Sequence, residues 1–414
     1  MRRALLVSHR SPAQAGGGAA RWRSLIQRLP DHGWQVDIIS APERASATEL
    51  AAGGSPAAQR RASVMGRVGR LADPVFGLAG LRPDALPPSM LWIPRGARAT
   101  RRAARGTRRA ARGDYDLVVA TGPPMAGLLA GRLGVRGLDV PLVVELRDLW
   151  ARSPAFDRGG PILPALERRV VSRAARVVAM TPEAASDLRA RHPYCGERIV
   201  EIPNGYEPEL LAGRDGTRAH APGRPLTILH SGAITPDRPL APIVSAMAGD
   251  DRFRLVLHGF VHPEVLASVS HCEHVEVLPA SDWEEATRRM RTADALLVTQ
   301  ARGAGDATAV ASKVYEYLAV GRPVLCVTDG GATERLLRRL GHDTLCARLD
   351  DPPGIRASLD RLAASPPPPV TTERLAPYSR AQIAIDTAAL LDEVASAHRG
   401  PPARRTSRSP HSEW

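Results

Sequence analysis

The chain has 414 residues, 43% of them apolar and 24% charged, which excludes wholesale disorder and suits two or three domains of roughly 150 residues each. Its formal charge is +13, and Lys313 is the single lysine among the cations, all others being arginine. That balance permits a polyanionic partner or an acidic membrane surface and requires neither.

In chain order, a buried strand is predicted over 4–8, then the glycine turn Gly16-Gly17-Gly18, a helix to about residue 29 and a strand over 34–39. Further strands are expected at 116–120, 142–146 and 177–180, with helices near 124–134, 161–175 and 183–191. A second series follows Asn204-Gly205. Its strands are 226–230, 254–258, 275–278, 295–299 and 324–327, and its helices 239–248, 263–270, 283–291, 313–320 and 332–340. Continuous apolar strands alternating with helices predict parallel sheets covered on both faces, an α/β fold. Because the grammar occurs twice, two doubly wound Rossmann-like domains are expected, 1–204 and 205–374, hinged in the Pro-, Gly- and Arg-rich stretch 203–225. Residues 375–398 carry a last helical pattern with no strand after it, and the Pro/Arg/Ser composition of 399–414 predicts disorder.

Residues 43–112 depart from this pattern as an irregular, Arg-rich insertion. Within it Arg98, Arg102, Arg105, Arg109 and Arg112 recur in steps of four and three, the spacing of one helix side, with Pro94 suited to the entry and Gly113 to the exit. Residues 95–112 hold eight arginines and no acid. Three readings fit: a solvated face, peripheral contact with an anionic membrane through 98–112, or contact with an anionic acceptor. Nucleic acid is not expected, since aromatics are only 4% and do not interleave with the arginines. Cys195, Cys272, Cys326 and Cys346 form no CxxC pair and read as reduced thiols. The N-terminal apolar run is too short for a signal peptide, and the longest uncharged stretch, 117–131, falls short of the about 20 residues of a membrane span. A cytoplasmic protein, with peripheral attachment at the inner face of the membrane left open, is expected.

The chain has no GxxxxGK[ST] loop, GxSxG elbow or HExxH pair, and Gly16-Gly17-Gly18 does not complete GxGxxG. The glycine turn can bring amides to an anion or serve as a plain connection. Asp114-Tyr115-Asp116 could hold a divalent metal but leads directly into an apolar strand. His258, His262, His271 and His274 have no common ligand spacing and read as exposed loop histidines. The strongest local signal is SKVYEYLAVGRP at 312–323. There Ser312 can cap a helix whose first turn holds Lys313, a place for a diphosphate, while Glu316 one turn in could accept from ribose hydroxyls.

PNG at 203–205, HSGAITPDRP at 230–239 and SKVYEYLAVGRPVL at 312–325 resemble the C-terminal half of a GT-B glycosyltransferase of the GT4 type. The glycine turn, TGPP at 121–124 and VVELRDLWA at 143–151 are similar to the N-terminal half of one subgroup. The resemblance implies two Rossmann-like domains facing across a cleft, with a C-terminal helix crossing back. It further implies a retaining transfer of sugar from a nucleoside-diphosphate donor without a metal or other cofactor, to a glycan, lipid-linked or secondary-metabolite hydroxyl. By that resemblance Gly16, Gly17 and Gly232 approach the donor, Arg238 and Lys313 pair with the diphosphate, and the amides near Ser312 assist. Glu316 binds ribose as the second glutamate of an E-x7-E signature, whose first position is Thr308, with Asp306 close by. Arg147-Asp148 stands where the family frequently has a histidine, and Asp148 is the candidate to orient the acceptor. A sugar-nucleotide epimerase sharing the cleft, and a non-enzymatic binder of polyanions built on the arginine stripe, are the competing readings.

Overall fold

A computed structural model describes residues 1–13, 17–41, 88–105, 115–152, 162–214, 223–236, 238–300 and 307–399. The calls on Gly16, Arg109, Arg112, Gly113, Asp114, Asp306 and the tail from 400 onward lie outside the described residues.

The first sheet is built from β1 (Arg2–Ser8), β2 (Trp34–Ile39), β3 (Leu117–Gly122), β4 (Leu142–Leu146), β5 (Arg176–Ala179) and β6 (Ile199–Glu201). The strands are parallel in the order β2-β1-β3-β4-β5-β6. Its helices are α1 (Gly17–Arg28), α2 (Ile93–Ala104), α3 (Ala126–Gly134), α4 (Ile162–Val171) and α5 (Pro182–Arg191). Of the arginine-rich stretch 43–112, the described part is helical: Pro94 sits in the first turn of α2 as expected, and the described helix ends at Ala104. α2 lies close against α3 because the facing positions are small. A Cβ on Gly96 would come within 2.9 Å of the Ala130 Cβ, and one on Gly134 within 2.5 Å of the Thr100 Cβ.

The second sheet holds β7 (Leu226–Ser231), β8 (Phe253–His258), β9 (Val275–Leu278), β10 (Ala295–Thr299), β11 (Val324–Thr328) and β12 (Cys346–Arg348), again all parallel, in the order β12-β11-β10-β7-β8-β9. Around it run α6 (Ala241–Met247), α7 (Pro263–Val269), α8 (Trp283–Thr292), α9 (Lys313–Val320), α10 (Ala332–Arg339), α11 (Pro352–Ala364) and α12 (Thr372–Leu375).

The last helix, α13 (Arg380–Arg399), returns to the first sheet. Its Ile383, Ala384, Ala388, Leu391, Val394 and Ala395 are buried with Trp22, Leu25, Leu29 and Trp34, and Asp392 accepts from the Trp34 indole at 2.8 Å. An apolar helix face with no strand of its own domain to cover finds its cover on the other. Among the described residues no helix is long and apolar enough to cross a membrane.

Candidate functional site

In a doubly wound sheet, ligands bind outside the carboxyl ends of the two strands where the winding direction reverses. Those pairs are β1 and β3 in the first sheet, and β7 and β10 in the second. The predicted site residues fall on the loops that leave these strands and their neighbour β4.

On the second sheet, β7 ends in His230 and Ser231 and runs into Gly232 at φ +125°, a conformation side chains rarely adopt. The Gly232 amide donates to the His258 carbonyl at 2.8 Å, and Ile234 pairs with the strand-like Val261, so this loop is tied to the one after β8. A Cβ on Gly232 would lie 3.0 Å from the Lys313 Nζ. The bare glycine therefore leaves the room that the ammonium occupies. Lys313, in the first turn of α9, reaches across the sheet end to His230, with Nζ 2.7 Å from Nε2. His230 Nδ1 lies 3.0 Å from the Leu297 carbonyl, which can only accept, so Nδ1 carries the proton and Nε2 accepts from lysine. Burial, then the charges of Lys313 and Arg238, hold His230 well below its ordinary titration range, which keeps it neutral. Burial, reinforced by Arg238 and opposed by Glu316, brings Lys313 down to about 7. Arg238 thus acts on Lys313, His230 and Asp148 together, and its Nε is buried with no hydrogen-bond partner. Among the described residues no carboxylate forms an ion pair with Lys313 or Arg238.

Ser312 does not cap α9. Its backbone is already helical, at φ −55° and ψ −32°, and the Val314 amide is taken by the Ala311 carbonyl at 2.9 Å, leaving the hydroxyl no cap to make. Glu316 is half-buried, and Arg380, at the start of α13, approaches it at 3.5 Å. Burial raises the Glu316 carboxyl against the pull of Arg380 and Lys313. Thr308 faces the other domain, its carbonyl accepting from the Thr181 hydroxyl at 2.6 Å. Beside it Glu183 of α5 holds Arg335 at 3.0 Å and Arg339 at 2.9 Å, both from α10. Thr308 therefore takes part, through its carbonyl, in the contact between the domains.

On the first sheet, Gly17 opens α1, and a Cβ on Gly18 would fall 0.9 Å from a terminal nitrogen of Arg147. The glycine turn is thus the seat of the Arg147 guanidinium, which also donates to the Pro123 carbonyl of TGPP. Asp148 is open to the cleft. Burial by the surrounding walls raises its carboxyl above the ordinary range, against Arg147 of its own domain and Arg238 of the other.

Beneath lies a network that motif reading did not isolate. Glu145 accepts from Arg21 at 2.9 Å, the Trp22 indole at 2.8 Å and the Thr121 hydroxyl at 2.7 Å, and Arg21 continues to the carbonyls of Ile202 and Pro203. Burial alone would raise the Glu145 carboxyl; Arg21, Arg147 and the two hydrogen bonds overcome it and hold it below its usual value. Glu145 is the one polar residue of β4, and His230 follows the apolar Ile228-Leu229 within β7; that placement inside a buried strand was the available signal for both. His258, expected as an exposed loop residue, is instead buried between the hydroxyls of Ser231 (3.3 Å) and Ser281 (3.1 Å). Asp116 accepts from the Arg3 amide at 2.8 Å and pairs with Arg399, as a charged lead-in to β3 would. Among the described residues no group of three or more His, Cys, Asp or Glu could hold a metal.

The sequence profile of Glycosyltransferase Family 4 matches residues 15–210. No curated protein matches the chain in sequence. Among solved structures, the chain is similar to sucrose-phosphate synthase from Thermosynechococcus elongatus, with a TM-score of 0.65, 16% identity, and coverage of 96% of this chain and 100% of that one. It is also similar to Anabaena HepE in complex with UDP and glucose, with a TM-score of 0.58, 14% identity, and coverage of 95% and 97%. A third is α,α-trehalose 6-phosphate synthase from Burkholderia multivorans, with a TM-score of 0.59, 16% identity, and coverage of 98% and 99%. The fold is thus shared over whole chains with these proteins, while the match to the Glycosyltransferase Family 4 profile is confined to the N-terminal half, residues 15–210.

Proposed function

We propose that the chain transfers a sugar from a nucleoside-diphosphate-sugar donor to an acceptor hydroxyl with retention of anomeric configuration. The observation that carries this reading is the cation pair Lys313 and Arg238, which no carboxylate pairs among the described residues. It sits at the carboxyl end of β7, beside Gly232, and Arg238 acts on Asp148 of the other domain. Breaking the anomeric C–O bond builds negative charge on the departing diphosphate, and fixed cations in a partly dry cleft stabilise that charge most where it grows. Lys313 and Arg238 are assigned to the diphosphate, Gly232 and Gly17 to close approach, and Glu316 to the ribose. If the acceptor attacks the face the diphosphate leaves, a leaving-group oxygen can take the acceptor proton. Asp148, raised by its surroundings and next to Arg238, then orients the acceptor hydroxyl. HepE was solved with UDP and glucose, which supports a nucleotide-sugar donor for this fold.

A thermal-shift panel of nucleoside diphosphates and nucleotide sugars tests the donor. A ligand at about 100 times its dissociation constant adds about 2.7 kcal/mol, a rise of about 5 °C for one nucleotide and its sugar derivative. A flat panel overturns the reading. Turnover is expected to survive EDTA, because the cations named above supply the charge that a metal would otherwise provide. Loss of turnover with chelator, restored by magnesium, would overturn this part of the reading.

A further inference from the structure

Three helices of the first domain end at the same edge of its sheet. α2 leads toward the start of β3, α3 toward the start of β4 and α4 toward the start of β5, so their C-termini lie at the amino edge, opposite the switch-point loops. Arginines from all three gather there. Arg101 of α2 donates to the Arg136 carbonyl just after α3. Arg132 of α3 feels Arg173, Arg136 and Arg169 as its principal charged neighbours, all of the same sign, and its Nε is buried without a partner. Arg105, Arg136, Arg169 and Arg173 are exposed. Among the described residues none of these six forms an ion pair with a carboxylate. Asp139, three residues beyond Arg136, is turned to His398 at 3.2 Å.

Helix C-termini favour cations, and capping is the bland explanation. Each terminus, however, offers only about half a negative charge. Three termini do not balance six guanidinia, so the edge carries a net positive surplus that an anionic surface would complement. Two exposed residues share this edge: Leu133, 46% exposed in the last turn of α3, and Tyr194, 47% exposed beyond α5 with the Arg168 guanidinium 5.7 Å from its ring centroid. Guanidinia around an aliphatic and an amphipathic aromatic side chain suit a bilayer interface, where the apolar groups enter among headgroups held by the arginines.

We infer that this arginine edge of the first domain docks on the surface of a bilayer rich in anionic lipid, with the α2 stripe as its continuation. The geometry then turns the carboxyl-edge cleft away from the lipid and toward solution. This inference is independent of the transferase reading.

The test is sedimentation of the full chain with vesicles of phosphatidylcholine, with and without about 40% phosphatidylglycerol, at about 0.05 and 0.5 M salt. Binding is expected only to the anionic vesicles, and to weaken sharply with salt. The variant Arg132→Gln/Arg136→Gln/Arg169→Gln should lose about a hundredfold in partitioning, from about fivefold per cation. The charge-matched control Arg288→Gln/Arg338→Gln/Arg348→Gln, in exposed pairs of the second domain, should bind as the parent does. The pair Arg136→Glu/Arg173→Glu, at two exposed positions, repeats the test without touching the half-buried Arg132. Equal loss in the control or undiminished binding in both edge variants would overturn the inference.

Discussion

Replacing Lys313 with methionine is expected to lower turnover about 10²–10³-fold, the cost of deleting one preorganised donor to a developing anion, and to change how binding depends on pH. The free ammonium titrates at about 7, depressed first by burial and then by Arg238. A diphosphate beside it would favour the charged form. Parent affinity for a nucleoside diphosphate should therefore hold below pH 7 and fall about tenfold per unit above it, until the bound-state value is passed. Lys313→Met should bind weakly with no such slope. Arg238→Ala should also weaken binding but keep the slope, because a guanidinium stays charged throughout. Stability carries the opposite signature. An unfolded lysine titrates near 10.4, so between about pH 7 and that value the unfolded chain holds the extra proton. The ligand-free protein should gain stability with rising pH across this window, and Lys313→Met should not. Nucleotide affinity left intact in both variants sinks the assignment of the diphosphate.

Ten of the twelve strands were placed from the sequence, most of them because they are buried on both faces and read as short continuous apolar runs, while β2 (Trp34–Ile39) and β9 (Val275–Leu278) carry interspersed charge and partly exposed faces. The other two, β6 and β12, are three-residue strands at sheet edges, too short to show a period. The helix α11 went unread although its start was written plainly. Asp351 caps it by accepting from the Gly354 amide at 3.0 Å, and Pro352 takes the first turn. At the site, Lys313 stood out as the one lysine in an arginine-rich chain. Its partner did not, because His230 lies 83 residues away and meets it only when β7 and the helix after β10 come together. Ser312 shows the converse. Its residue type suited a cap, but the incoming turn was already helical, which local sequence does not reveal.

The largest stability effect is expected at Glu145, a residue with no direct role in the chemistry. Its side chain and that of Arg21 are each 4% exposed. Removing one member of such a pair leaves the other charge buried and unpaired, and Glu145→Ala should cost about 3–5 kcal/mol in denaturant unfolding. Two features place the cost at the upper end. Arg147, two residues further along the chain, also depends on Glu145, so its removal leaves two guanidinia repelling each other. Arg21 meanwhile fixes the Ile202 and Pro203 carbonyls at the exit toward the second domain. Replacing the pair together, Arg21→Met with Glu145→Met, should cost much less than Glu145→Ala alone, since no buried charge is stranded. The pH dependence has a fixed sign. A carboxylate held below its ordinary value contributes stability above the unfolded value of about 4.3, and loses it as acid carries the folded group through its own titration. The parent should therefore approach the Glu145→Ala variant in stability as pH falls below about 4. A Glu145→Ala protein within about 1 kcal/mol of the parent at pH 7 would show that the network does not hold α1 and the domain exit in place.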